Sequence, residues 1–205
     1  MTGKRESKKR AVRKALYDAA VDLIERDGYD AVSVDQIVAA AGVAKGTFFN
    51  HFPGKADLLA DWYSQVIGGS LEETPDAAVL ALPDRLAALA LRSIQAALAS
   101  PHMWQAKHAH ALATPSIQAA EREADAALRT AITGMVAQAR RRTELPDRVD
   151  PEAMADLVVT LVTGTIRESG VTGRLDAVDT RIAERLGRLC ELAGYRPLAE
   201  APSSG

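Results

Sequence analysis

The chain has 205 residues, long enough for one or two domains with a sizeable core, and aromatic residues make up only 4% of it. Its net charge of −2 hides an asymmetry: residues 1–55 hold ten Lys/Arg against seven Asp/Glu, and residues 56–205 hold fifteen against twenty. A single cysteine, Cys190, excludes an intrachain disulfide or a site of several thiolates, and no apolar run is long enough to span a bilayer.

The first residues carry Lys4, Arg5, Lys8, Lys9, Arg10, Arg13 and Lys14, opposed only by Glu6, and residues 1–9 are expected to form a flexible basic arm. No apolar signal-peptide core follows, so a reduced, cytoplasmic setting is expected. Val12, Ala15, Leu16, Ala19, Ala20, Leu23 and Ile24 follow the spacing of an amphipathic helix, which should stop near Asp27-Gly28. Ser33 is placed to N-cap a helix with inner face Val34, Ile37, Val38 and Ala41. Gly42 then supplies a turn, Val43 an apolar plug, and a further helix runs from about residue 44 to 52 before Pro53-Gly54 stops it. Lys55 opens a helix carrying Leu58, Leu59, Trp62, Tyr63, Val66 and Ile67, expected to end near Gly68-Gly69.

Beyond this point Ser100-Pro101, Thr114-Pro115 and Asp150-Pro151 each put a capping side chain before a proline at the first helical position. They bound helices expected at about 84–99, 101–113, 115–142 and 151–168, with a last one at about 176–194 after the loop Gly170–Gly173. The fold expected is all-α, about nine helices: a three-helix head (residues 10–55), a larger helical body (56–195), and flexible tails at 1–9 and 196–205.

The helix at 44–52 is the most informative. Phe48 and Phe52, four apart, share a face and should pack onto the two preceding helices. Lys45, Gly46, Thr47, Phe49, Asn50 and His51 then point elsewhere, as a helix lying in a DNA major groove requires. Gly46 costs about 1 kcal/mol against alanine in a helix, which makes sense where another backbone approaches. Lys45 suits guanine O6/N7 or a phosphate. Thr47, His51 and Lys55 suit phosphate oxygens, and the helix end capped by Ser33 favours a phosphate as well.

These elements, VSVDQIVAAAGVAKGTFFNHFPGKADLL over residues 32–59, resemble the N-terminal domain of the TetR (tetracycline-repressor-like) family of bacterial regulators. The resemblance covers about residues 10–60. It implies an all-α homodimer, a three-helix DNA-binding head, and a divergent helical body whose small-molecule effector releases the protein from its operator. Carried over by position, Lys45 and Gly46 would lie nearest base edges, with Thr47, Phe49, His51 and Lys55 along the phosphates. Phe49 departs from the family's usual tyrosine and offers only apolar contact.

In the body, Met154, Leu157, Val158, Leu161, Val162 and Ile166 make one helix apolar over much of its circumference, and Val178, Ile182, Leu186, Leu189 and Ala193 stripe the next. Either set can serve an internal core. The resemblance makes dimerisation through these last two helices the expectation, with Leu157, Leu161, Ile182, Leu186 and Leu189 at the interface. Trp62, Met103, Trp104, Leu112, Ile132 and Met135, with Gln105, His108 and His110 as nearby polar groups, are candidate pocket residues for an apolar or amphipathic effector.

Catalytic chemistry finds little support. His102, His108, His110, Glu121 and Glu123 lack metal-ligand spacing, and no phosphate loop or nucleophile motif is present, so no enzyme, metal or cofactor is expected. A helical protein–protein interaction module is the remaining rival to a double-stranded DNA partner, but it leaves the Lys45/Thr47/His51 face idle.

Overall fold

The computed structural model describes residues 2–72, 80–172 and 177–197. Among them lie nine helices and no strand: α1 (Thr2–Asp27), α2 (Val34–Ala40), α3 (Lys45–Phe49), α4 (Lys55–Glu72), α5 (Leu82–Leu98), α6 (Pro101–His110), α7 (Pro115–Arg141), α8 (Pro151–Thr172) and α9 (Val178–Ala193). The all-α class agrees with the periodicity.

Several boundaries differ from the sequence expectation. Helix α1 starts at Thr2, so the basic leader is helical where a flexible arm was expected; Lys, Arg and Glu are good helix formers, and extending a helix nucleated further along is inexpensive. Helix α3 is five residues long and stops at Phe49. His51 N–H and Phe52 N–H both donate to the Phe48 carbonyl (2.9 Å each), a tightened last turn, and Pro53 disfavours helical geometry at the residue before it. In α4 the helix passes through Gly68-Gly69 to Glu72, and α8 passes Gly170 to reach Thr172, leaving only Gly173 of the expected loop outside it and outside the described residues. Paired glycines weaken a helix without forbidding it. Helix α6 ends at His110, three residues early. Of the expected C-terminal tail, Arg196 is tied down by its N–H donating to the Glu144 carbonyl (2.8 Å), and residues 198–205 lie outside the described residues.

The chain divides into two compact units, Met1–Val66 with Ala96–Arg122, and Ile67–Gln95 with Glu123–Gly205. In the first, α1 packs on α2 and on α6, and α2 on α3. Leu16, Ala20, Ile24, Ile37, Phe48, Phe52, Leu58, Leu59, Met103 and Ile117 are fully or almost fully buried there. The inclusion of α6 rests partly on an unexpected cap. Ser100 makes no side-chain cap; instead Glu25, near the end of α1, accepts from the N–H groups of Met103 (2.8 Å) and His102 (3.4 Å). A carboxylate at a helix N-terminus satisfies orphan donors and complements the helix dipole.

In the second unit α8 packs on α9 around Met154, Val158, Ile182, Leu186 and Cys190. Burial, with Glu191 adding to it, pushes the Cys190 thiol up to about 12, so this sulfur is a packing group and not a nucleophile. Gly194 closes α9 in the left-handed region (φ 86°), and an added Cβ would lie 3.1 Å from Pro146.

Phe48 has no exposed surface, while Phe49, stacked edge-on against it (ring centroids 5.3 Å apart), is 51% exposed. Phe48→Ala is expected to lower the unfolding free energy by about 3–5 kcal/mol. Phe49→Ala should lower it by less than about 1 kcal/mol, in line with surface substitutions. Urea unfolding of the two variants checks this, and equal losses would refute the inward/outward division of α3.

Candidate nucleic-acid interface

The α2–turn–α3 geometry follows from local chemistry. Ser33 Oγ accepts from Gln36 N–H (3.2 Å) while Gln36 Oε1 accepts from Ser33 N–H (2.7 Å), a reciprocal capping box. Gly42 takes a positive φ of 66° directly after α2, which only glycine adopts without strain, and Val43 N–H returns to the Val38 carbonyl (3.0 Å). The chain can then re-enter a helix with Ala44 as an extended N-cap.

Phe48 and Phe52 fix the inward side of α3, their rings 5.6 Å apart. Lys45, Gly46, Phe49 and Asn50 are consequently exposed, and Thr47 and His51 half-buried. A Cβ at Gly46 would meet nothing within 4 Å, so no neighbour inside this chain requires a glycine there. Lys45 Nζ pairs with Asp35 on the first turn of α2 (2.9 Å), both side chains more than half exposed. Such a pair contributes about 0–1 kcal/mol and is screened by salt, so the ammonium can leave it for another anion at little cost. The site expected from the sequence is thus gathered on one unit: Ser33 exposed at the α2 cap, and Lys45, Gly46, Thr47, Phe49, Asn50 and His51 on or beside α3.

Lys55 is the exception. Its ammonium donates to the carbonyls of Tyr29 (2.6 Å) and Val32 (2.8 Å) and sits 3.8 Å from the Tyr29 ring centroid. Partial burial lowers its pKa from the ordinary 10.5, with Asp30 opposing. Two of its three N–H bonds are therefore spent inside the head, tying the α1–α2 loop to the start of α4. The place of Lys55 at the start of α4 suggests a phosphate contact, and carbonyls more than twenty residues away leave no trace in the local sequence.

Arg13, read from the sequence as one more charge of the basic arm, is also a strut. Its guanidinium donates to the His51 carbonyl (2.7 Å) and to Asp61, and lies 4.3 Å from the Phe52 ring centroid. It joins α1, the end of α3 and α4. Desolvation, then Arg13, then Lys9, hold the His51 imidazole below its ordinary 6.5, so at neutral pH it is uncharged and able to donate or accept.

If Lys55 is a strut, Lys55→Met should lower the unfolding free energy without any DNA present. The expected loss is about 1–3 kcal/mol, the range for losing hydrogen bonds from a charged donor. Unchanged thermal and urea stability would show that its inward bonds hold nothing.

The candidate pocket residues do not form one group. In the first unit Trp62 and Met103 are buried, and Trp104 contacts Trp62 (centroids 6.3 Å apart), Tyr63 (6.4 Å) and His108 (4.3 Å). Beside them Lys107 is almost wholly buried over the Tyr63 ring, paired with Glu121. Leu112 is 94% exposed in the turn after α6, which ends at His110. Ile132 and Met135 are buried in the second unit, where Ile132 lines a small apolar cavity with Leu86, Leu89, Val158, Val159 and Thr163. Of the interface candidates, Ile182 and Leu186 have no exposed surface and belong to the second unit's own core. A single apolar stripe on α9 is consumed by packing onto α8. Leu161 and Leu189 are half-buried, and Leu157 is exposed.

Comparison with known proteins agrees with this geometry. Residues 16–61 match the profile described as "Bacterial regulatory proteins, tetR family". The Bacillus subtilis (strain 168) "Fatty acid metabolism regulator protein" is 37% identical over 57 residues, 28% of this chain and 29% of that protein. The Escherichia coli "Transposon Tn10 TetC protein" is 43% identical over 51 residues, 25% of this chain and 26% of its own. The match thus spans under a third of the length of either relative. Among solved structures, Thermus thermophilus FadR, described as a TetR family transcriptional repressor in complex with lauroyl-CoA, superposes with a TM-score of 0.68 at 24% identity, covering 93% of this chain and 98% of its own. The likeness in fold extends well beyond the head. By its capped α2, glycine turn, outward α3 and matched profile, the segment 16–61 is similar to the DNA-binding domain of the tetR family of bacterial regulatory proteins, and the fold of the rest resembles solved structures described as members of that family.

Proposed function

We propose that the protein is a cytoplasmic, dimeric, sequence-specific repressor of transcription that leaves its operator when a small-molecule effector binds. The observation carrying this reading is the face of α3: Lys45, Gly46, Phe49 and Asn50 are exposed because Phe48 and Phe52 anchor the opposite side. In a major groove Lys45 reads a base edge, Gly46 lets the backbone approach, and Thr47 and His51 reach phosphate oxygens. Ser33 brings the capped N-terminus of α2 to a phosphate. Phe49 offers sugar or a thymine methyl an apolar contact, and Asn50 lies at the flank. For Lys55 the phosphate contact falls to its remaining N–H, since the other two are engaged internally.

One recognition helix reads too few base pairs for selectivity, so two copies on a two-fold site are required. The second unit offers the surface. A groove of about 310 Å³ between α8 and α9 is lined by Ala153, Met154, Leu157, Leu189, Leu192 and Ala193, and Leu157 and Leu192 are 57% and 84% exposed. Exposed leucines on an apolar groove fit a second copy of the same two helices. Light scattering is expected to give twice the 21.8 kDa chain mass, and Leu157→Glu with Leu192→Glu to return it to one chain mass. A single chain mass for the unaltered protein refutes the dimer.

For the effector, the apolar cavity of the second unit is the candidate. At about 20 Å³ it holds no more than a water, so a ligand must push α5, α7 and α8 apart. An apolar lining suits an acyl chain, and the FadR structure was solved with lauroyl-CoA, which makes long-chain acyl-CoA the first effector class to try. Helix α4 runs unbroken from Lys55 to Glu72 and is the proposed transmission element. A coupling of about 1–3 kcal/mol changes operator occupancy roughly 5- to 150-fold.

A footprint on the DNA upstream of the protein's own gene, at two salt concentrations, tests the whole reading. Protection of a near-palindromic site is expected, with Lys45→Ala changing the preferred sequence and His51→Ala weakening binding to all sequences alike. Failure to select any sequence from a random pool would instead favour a protein-interaction module.

A further inference from the structure

We propose that the N-terminal half of α1 is a second DNA-binding element, a rigid basic helix that grips phosphates flanking the major-groove contact; the inference rests on the DNA-binding reading above. The sequence shows a cluster of cations there, and the structure gives that cluster a direction. Residues 3–11 are helical and exposed throughout, with Lys4, Arg5, Lys8, Lys9 and Arg10 against the single acid Glu6. Among the described residues, none of these five cations takes part in a hydrogen bond or ion pair, whereas Lys14, one turn further along, pairs with Asp18 (2.6 Å).

The placement comes from Arg13. Its bond to the His51 carbonyl pins α1 against the C-terminal end of α3. Arg5 and Lys9 stand on the same helical row as Arg13, at successive i−4 steps of about 6 Å along the axis. Lys9 is near enough to His51 to help depress the imidazole's pKa. The row therefore starts at the outward end of the recognition helix and leads away from it, with Lys4 and Lys8 beside it. Lys4 and Lys8 widen the strip by the next i, i+4 pair.

An exposed helical surface with a net surplus of cations and no acidic partner fits a polyanion. Its position beside α3 favours the DNA that α3 reads over a membrane or an RNA. Bound there, Arg5 and Lys9 neutralise phosphates outside the half-site, adding affinity and salt dependence without adding sequence information. The helix form matters: a flexible arm would lose conformational entropy on binding, and this element is already ordered.

The test uses full-length protein and the double variant Arg5→Gln/Lys9→Gln, on the footprinted fragment, between about 50 and 200 mM salt. The expected result is a shallower dependence of log affinity on log salt, by roughly 0.9 for each lost phosphate contact. Protection should shrink at the outer edges of the footprint while the preferred sequence stays the same. Arg5→Lys/Lys9→Arg should restore both, and circular dichroism should match the unaltered protein, since both side chains are exposed. An unchanged slope and unchanged edges, with the unaltered protein binding its site, overturn the inference alone. Failure of the unaltered protein to bind DNA overturns the functional reading and this inference with it. A double variant that loses sequence preference assigns these residues to base reading and overturns the flanking role.

Discussion

A helix of five residues cannot hold itself together in water, because nucleation costs more than so few hydrogen bonds return. Helix α3 exists because Phe48 and Phe52 are driven out of water, both almost wholly buried, with α2 packed on α3 and Arg13 of α1 over the Phe52 ring. That burial fixes which side of α3 looks outward. The exposure of Lys45, Gly46, Phe49 and Asn50 is its geometric consequence and not a property of those residues themselves. Two fully buried Phe rings are worth several kcal/mol, a large share of the stability a small helical unit has.

Around this core three charged side chains tie together elements distant in sequence. Arg13 joins α1 to the end of α3 and to Asp61 on α4; Lys55 joins α4 to the loop before α2; Glu25 joins α1 to the start of α6. Each is a charged group bonded to backbone or to an opposite charge, at partly buried positions where such bonds are stronger than at the surface. They add direction where apolar packing is non-directional. The cation–ring contacts at Tyr29 and Phe52 show the same economy, since one side chain satisfies carbonyls and covers an aromatic face.

The legible part of the fold was whatever local spacing dictates. The capping pair Ser33/Gln36, the left-handed Gly42, the inward Phe48 and Phe52 and the paired apolar faces of α8 and α9 all follow from residues within a turn or two of one another. Contacts across the chain were not legible. Nothing near Lys55 points to the carbonyls of Tyr29 and Val32, and nothing near Glu25 points to Met103. The leader, a charge run expected to be flexible, is helical because a polar segment needs no apolar face when it extends a helix already formed. Ile182 and Leu186 could not be told from interface residues for a related reason. A stripe shows that a face must be covered but not by what, and here α8 of the same chain covers it.

The same distinction bears on how an effector could be felt at the DNA. Helix α6 belongs to the compact unit that contains α1, α2 and α3, and its N-terminus is held by Glu25 of α1, with His102 Nδ1 2.7 Å from the Glu25 carbonyl. Near its other end His110 stacks on Tyr29, the residue whose carbonyl and ring hold Lys55. Both ends of α6 are thus in contact with groups that also position α1 and the start of α4. The rings and carbonyls around α6 are shared with the struts that hold the start of α4, the transmission element proposed above. Close packing transmits a displacement of such groups instead of damping it. The coupling the proposed effector response requires, about 1–3 kcal/mol, is comparable to one or two of these bonds, which is small against the burial that holds the core of the head.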